Sequence, residues 1–267
     1  MRLVTPSYEI LNISPEPDVC LQKLERIGRS CYKSEDKITK DSAPRFVRNL
    51  LKMGRMETLR DSFSKSLLGY LETYNNPNYS QQAAFHDLLD ALIFSVGSME
   101  EDSPHESVIE HSLITVQFVF DRGVSHEIVR HRLAAFTQES TRYCNYTKGS
   151  FGNEISVITP SFWEQPDSEE NVVKFHLWKQ AMEFAEHIYA DLIAAGAKPQ
   201  EARSVLPNSL KTEIVVSANF REWRHIFRMR TSKRAHPQMY EVMRPLLKEL
   251  RGMVPVIFDD VGTTEGY

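Results

Sequence analysis

The chain has 267 residues, 41% hydrophobic and 25% charged, which is the composition of a globular protein rather than a disordered one. Lys plus Arg number 32 against 36 for Asp plus Glu, and the net charge of −4 counts against a surface given over wholly to nucleic acid. Cys20, Cys31 and Cys144 are too few and too scattered for a disulfide framework or a four-thiolate zinc site.

Ser14-Pro15 opens a first predicted helix, with Val19, Leu21, Leu24, Ile27 and Cys31 at helical spacing. A second runs from Ala43 to Met53, with Pro44 in its first turn and Gly54 as its stop. Two more are predicted over 57–74 and 81–96, separated by Asn75-Asn76-Pro77-Asn78. Ser112–Phe120 is rich in β-branched and aromatic residues and reads as a strand ended by Gly123. A helix over 124–133 follows, then a short strand at Ile155–Ile158. The longest helix is expected from Asn171 to Ala195, with Phe175, Trp178, Met182, Phe184, Ile188 and Leu192 inward and Gly196 as its cap. Glu213–Ser217 is a further strand, and a last helix spans His236–Gly252. The order is not a regular β–α alternation, so the expected class is α+β: a mixed or antiparallel sheet flanked by long helices. No apolar run approaches the ~18 residues of a membrane span, and no secretory leader is visible. A cytoplasmic protein with no membrane partner is therefore expected. The absence of any G-x-G triplet removes the Rossmann fingerprint and the P-loop signature is also missing.

Residues that could carry chemistry crowd between His105 and Tyr146. His105 and His111 are six apart and His126 and His131 five apart; a zincin helix needs i and i+4, so no metal site is expected. Arg130 and Arg132, on different sides of a helix, could grip two anionic groups, Arg being suited to phosphates and pyrimidine edges. Thr137-Gln138-Glu139-Ser140-Thr141-Arg142-Tyr143 then supplies an almost unbroken run of hydrogen-bonding side chains, costly to bury unless a polar ligand satisfies it. A solvated helix end is the plainer alternative. A second basic block, Asn219 to Arg230, places Arg221, Arg224 and Arg228 on one helical face, with Arg230 off it. It could bind nucleic acid, with Trp223 and Phe227 as stacking surfaces, or nucleotide phosphates, or be a solvated helix.

Arg130-His131-Arg132, seven residues, then Ser140-x-Arg142-Tyr143 resembles the signature of the flavin-dependent thymidylate synthases. So do His105-Glu106-Ser107-x-x-Glu110-His111 upstream, and Ala202-Arg203-x-Val205-Leu206-Pro207 and Asn219-x-Arg221 with Arg230 downstream. The resemblance covers roughly 17–54 and 105–250. It implies a single domain over 1–267 that makes dTMP from dUMP, with methylenetetrahydrofolate as carbon donor and NADPH as reductant through bound FAD. It also implies a homotetramer with active sites at subunit interfaces and no nucleic-acid partner.

By the same resemblance, Glu127, Arg130, Gln138, Glu139, Ser140, Thr141, Arg142, Arg203 and Arg230 would bind dUMP. Arg230 matches the catalytic arginine that favours ionisation of the uracil N3. His105, Ser107, Arg130, His131, Arg132, Gln138, Asn219, Arg221 and His225 would bind FAD. Cys144 is expected to be structural, since the flavin chemistry needs no enzyme nucleophile. The chain departs from the family pattern at three places, one being the stretch Thr231 to His236, which is spaced differently from members with a shorter gap before the histidine and gives His236 no role. Phe46 to Gly54 resembles a segment that normally runs into the His-Glu pair, whereas here about 50 residues, 55–104, intervene as a helical insertion. Glu127 stands where some members have glutamine, and an ionised carboxylate cannot donate to a pyrimidine carbonyl.

Overall fold

The computed structural model describes residues 1–51, 105–164 and 168–262. The helices predicted over 57–74 and 81–96, and the proposed insertion 55–104, lie outside them. The chain divides into two compact units, 1–20 with 109–267, and 21–108.

The first unit is built on β1 (Arg2–Val4), β2 (Ser7–Ser14), β3 (Leu113–Asp121), β4 (Ala134–Gln138), β5 (Ser156–Ile158) and β6 (Lys211–Asn219). Four strands form an antiparallel sheet in the order β2-β3-β6-β4, and β1 pairs with β5 in parallel. The β3–β6 ladder runs from Leu113 opposite Asn219 to Asp121 opposite Lys211, and strict alternation sorts its side chains. One face carries Ile114, Val116, Phe118 and Phe120 against Ile214, Val216 and Ala218, all buried. The other is polar: Thr115 bonds Ser217 at 2.8 Å and Gln117 donates to Glu213 at 3.0 Å.

α1 (Pro17–Tyr32) and α2 (Ala43–Leu50) follow β2; α3 (Arg122–Ile128) follows β3. Then come α4 (Ser161–Glu164), α5 (Glu169–Ala194), α6 (Pro199–Ala202), α7 (Phe220–Arg230) and α8 (Pro237–Met253). α7 covers the apolar sheet face: Trp223 donates its indole N–H to the Ile114 carbonyl at 3.0 Å and packs on Phe118 and Phe227. Phe227 in turn meets Phe258 of the C-terminal segment edge-on. That segment is tied down by Arg224, which grips both Asp260 carboxylate oxygens at 2.7 and 2.8 Å and the Ile257 carbonyl. A second core gathers Tyr146, Ile155, Val157, Met182, Tyr189, Ala202 and Leu210 under α5.

In the second unit, Gly28 of α1 lets the Phe46 ring of α2 come so close that a Cβ there would sit 2.6 Å from it. Buried Glu25 accepts from Arg29 Nε and the Ser42 hydroxyl, each at 2.7 Å.

The α+β class and antiparallel sheet match the expectation. Three local expectations fail. The helix foreseen over 124–133 ends at Ile128, where Arg130 N and His131 N bond the Glu127 and Ile128 carbonyls in tight turns. Residues from Ala134 pair with β6 instead, so a tertiary ladder overrides local helical patterning. Phe184 is 68% exposed; the inward stripe of α5 is Phe175, Trp178, Met182, Tyr189 and Leu192, and Phe184, two positions from Met182, points away from it. β1 and β2 were not foreseen. β1 is only three residues long, and a register shift between Ile10 and Asn12 breaks the alternation of β2.

Candidate functional site

Asp121 ends β3 and caps α3, its carboxylate accepting from Val124 N at 2.6 Å. Burial raises its pKa. α3 carries Glu127 in its last turn, and the turn after it holds Arg130, His131 and Arg132. The two arginines are exposed and the histidine is buried. Arg130 and Arg132 therefore sit in a turn, not on two sides of a helix.

α7 brings the other half of the cluster. Asn219 caps it by accepting from Glu222 N at 2.8 Å. Arg230, in its last turn, donates from Nη1 to Glu127 Oε2 at 2.7 Å, from Nη2 to the Glu127 carbonyl at 2.8 Å, and from Nε to His131 Nε2 at 3.1 Å. Since Nε2 of His131 accepts, the neutral imidazole carries its proton on Nδ1, and Nδ1 lies 3.5 Å from Glu222 Oε1. His225, one turn on, meets the His131 ring edge-on at 5.5 Å between centroids. Burial, then the charges of Arg230 and His225, lower the His131 pKa to about 4. Burial raises that of Glu222. The chain Glu222–His131–Arg230–Glu127 thus joins two carboxylates through a neutral imidazole and a guanidinium.

The ligand atoms of His131, Glu222 and His225 lie within 4.8 Å of one another, a set that histidine spacing did not suggest. Its weakness as a metal site is the tautomer. The free lone pair of His131 already faces a guanidinium, and a metal on Nδ1 would leave two N–H groups pointing at each other.

The run 137–143 splits in two. Gln138 donates to Ser125 Oγ at 2.9 Å and Thr212 Oγ1 at 3.1 Å, tying α3 to β6. Glu139 turns its carboxylate away, accepting from the Tyr146 hydroxyl at 2.9 Å and pairing with Lys211 at 3.1 Å. Ser140 Oγ accepts from Arg142 N at 3.3 Å, buried Thr141 accepts from Arg203 at 3.4 Å, and Arg142 is exposed. Those four residues share one loop cluster, with Arg203 reaching it from beyond α6. Cys144 follows with its thiol pKa raised by burial and by Glu139, so it stays protonated at neutral pH.

An open cavity of about 570 Å³ lies behind this loop, lined by Arg2, Glu139, Tyr146, Lys211 and Glu213 among others. It includes Glu139 but none of Arg130, His131, Arg132 or Arg230. His105 is exposed and belongs, with Ser107, to the second unit. Arg221 pairs with Glu110 at 2.6 Å at the surface.

Two features of the basic block are corrected. Trp223 and Phe227 are fully buried and offer no stacking surface to nucleic acid, and Arg224 is 2% exposed and committed to Asp260. The member of the His131 cluster absent from the sequence analysis is Glu222. Its i, i+3 spacing to His225 places both on one face of α7, which was the available signal.

The family model described as thymidylate synthase complementing protein (Thy1) matches residues 72–256. That span takes in the blocks at 105–111, 130–142 and 202–230, begins inside 55–104 and leaves 17–54 outside. A flavin-dependent thymidylate synthase of Corynebacterium aurimucosum is 32% identical over 212 residues, 72% of this chain and 76% of its own. Namesakes from Geobacter sulfurreducens and Thermococcus onnurineus are 31% and 33% identical over 59% and 55% of this chain. The matches span only 65% and 57% of those two proteins' lengths. Among solved structures, a UMP/dUMP methylase, PolB, from Streptomyces cacaoi, bound with 5-Br dUMP, superposes with a TM-score of 0.64. At 17% identity over 97% of this chain and 96% of that one, the likeness is one of fold.

Proposed function

The chain belongs to the thymidylate synthase complementing protein family, and on that premise we propose that it reductively methylates dUMP to dTMP. Methylenetetrahydrofolate would give the carbon and NADPH the reducing equivalents, through FAD bound in a cytoplasmic homotetramer. The observation that carries this reading is the convergence of Arg230 with Glu127 and His131. Arg230 and Glu127 are 103 residues apart in sequence, yet they meet beside the exposed arginines of the 130–132 turn.

The residues have the chemistry each ligand needs. Arg130 and Arg132 present exposed guanidinium groups suited to the pyrophosphate of a dinucleotide, with His225 and Arg221 exposed on α7 for the same cofactor. Asn219 spends its carbonyl oxygen on the helix cap and keeps its amide donors. His105, Ser107, His131 and Gln138 complete the proposed flavin set. The flavin, when bound, supplies the redox chemistry that the side chains lack.

For the nucleotide, Arg142 and Arg203 would hold the phosphate, with Ser140 and Thr141 as hydrogen-bonding groups between them. Glu127, Arg130, Gln138 and Glu139 complete the set, Glu139 by fixing the loop that carries Ser140, because its carboxylate is engaged by Tyr146 and Lys211 and its N–H by the Glu213 carbonyl. Arg230 would face the pyrimidine, its position fixed by three hydrogen bonds.

The test is an absorption spectrum of the purified protein, followed by anaerobic NADPH and then dUMP. A flavin that bleaches with NADPH at a rate sensitive to dUMP is expected. A colourless protein that binds no added FAD overturns the reading.

A further inference from the structure

We propose that Glu222 is a positioning residue for Arg230 and acts through His131. Its carboxylate keeps the imidazole proton on Nδ1, so that Nε2 stays an acceptor and locks the Arg230 guanidinium in the orientation from which it would meet the pyrimidine. The orientation belongs to this chain alone; its use in turnover rests on the dUMP reading.

A buried carboxylate needs a reason. Glu222 is 7% exposed, yet among the described residues no Arg or Lys bonds it, and burial without a cation is costly. One ordinary reason fails. Glu222 is the third residue of α7, where a glutamate can turn back to the N-cap amide in a capping box. Here Asn219 caps the helix with its own side chain, and among the described residues the Glu222 carboxylate makes no such bond. Arg130 and Arg132, exposed in the neighbouring turn, do not bond it either. What the carboxylate does face is Nδ1 of His131, 3.5 Å from Oε1, with His225 of α7 on its other side.

The opposite nitrogen of His131 gives that contact its meaning. Arg230 reaches Glu127 through Nη1 and Nη2, both at the forked end, and those two bonds alone leave the guanidinium free to swing about Glu127. The third bond, from Nε to His131 Nε2 at 3.1 Å, closes that freedom. It requires a bare Nε2. The other tautomer would aim an N–H at the Nε–H of Arg230, so tautomer and orientation are one choice, set by the group that faces Nδ1. Among the described residues that group is Glu222. A carboxylate behind the ring also makes Nε2 the better acceptor. Arg230 keeps two N–H bonds for a ligand, and their direction follows from the three contacts.

The experiment is steady-state dTMP formation by the flavin-loaded full chain, with dUMP affinity from calorimetry, for Glu222→Ala, Glu222→Gln, His131→Gln and the double variant of Glu222→Ala with His131→Gln. Glu222→Ala should lower kcat about tenfold while flavin content and the dUMP Kd stay within about threefold, because an orientation is disturbed and the phosphate contacts are not. Glu222→Gln, whose amide oxygen still accepts from Nδ1–H, should recover most of the loss. In the His131→Gln background there is no Nδ1 proton to hold, so Glu222→Ala should cost nothing further, whereas a merely structural role would add in full. Apart from turnover, the Arg230 Nε proton, followed by NMR in protein with isotope-labelled arginine, should exchange slowly in wild type and Glu222→Gln and faster in Glu222→Ala. If Glu222→Ala does not fold, Glu222→Asp, which draws the acceptor back by one methylene, takes its place in both measurements with the same direction of change expected. The proposal is overturned if Glu222→Ala turns over like wild type, if Glu222→Gln is as impaired as Glu222→Ala, if the losses add, or if exchange of the Nε proton is unchanged. A wild type that makes no dTMP overturns the dUMP reading instead, and the proton exchange then decides the positioning of Arg230 by itself.

Discussion

Acidification should expose the cost of keeping His131 neutral. Its folded pKa of about 4 lies below the ordinary 6.5, because burial and the adjacent Arg230 oppose a second cation. Between those values the unfolded chain binds a proton that the folded chain refuses. Stability therefore rises with pH across the window and is lost as pH falls through it. Linkage with these two values puts the loss from about pH 7 to about pH 5 at roughly 2 kcal/mol, nearing 3 kcal/mol by pH 4. Urea unfolding at a series of pH values, followed by circular dichroism, measures it. His131→Gln provides the reference, since its amide oxygen extends to the position of Nε2 and can accept from Arg230 but cannot titrate. The wild type should lose more stability than the variant over this interval, by about that amount. Curves that fall in parallel would refute the argument, for they would place the acid sensitivity in other groups.

Other perturbations test packing and the loop. Gly28→Ala would ordinarily favour a helix by about 1 kcal/mol, but here the new Cβ meets the Phe46 ring at 2.6 Å. The clash should win, with a net loss of about 1–2 kcal/mol in urea unfolding, recovered when Phe46 is shortened to leucine. Asp260→Ala removes the carboxylate partner of the buried Arg224 guanidinium and should cost about 2 kcal/mol, less than a wholly buried pair because Asp260 is 39% exposed. Its midpoint in urea should drop accordingly. Cys144→Ser should keep dTMP formation within a few-fold of wild type, because a thiol held protonated by burial is no nucleophile. Loss of all turnover with flavin content intact would contradict that.

The elements legible in the sequence were those whose burial follows a simple period. β3 and β6 lie side by side in the sheet and alternate without interruption, so both were foreseen with ends off by one or two residues. α5 and α8 were equally plain. The failures share a cause, which is that the deciding contact is remote. β4 is a strand because β6 lies beside it, while its own Ala134-Ala135 start continues a helical pattern. Leu11 falls where the register of β2 shifts, so the alternation that would have announced the strand is broken by a feature that only pairing with β3 defines.

The site divides along the same line. The residue types were readable, since guanidinium groups and hydrogen-bonding side chains in this order point to a phosphorylated ligand with a polar ring. Their mutual wiring was not. The resemblance implied that Arg230 acts on the pyrimidine; in the structure its carboxylate partner is Glu127, and its Nε fixes the tautomer of His131. The substitution noticed in the sequence, a carboxylate where an amide was expected, gains its consequence only from that contact. Glutamine would leave Arg230 a full positive charge, whereas glutamate neutralises it and adds an acceptor at one stroke. Glu139 makes the converse point. Its place in the polar run suggested a ligand contact, but Tyr146 and Lys211 hold the carboxylate on the cavity side of the loop. Its backbone is engaged as well, the N–H by the Glu213 carbonyl and the carbonyl by Arg122, so Glu139→Gln should disturb the fold around Tyr146 before it disturbs binding at Ser140.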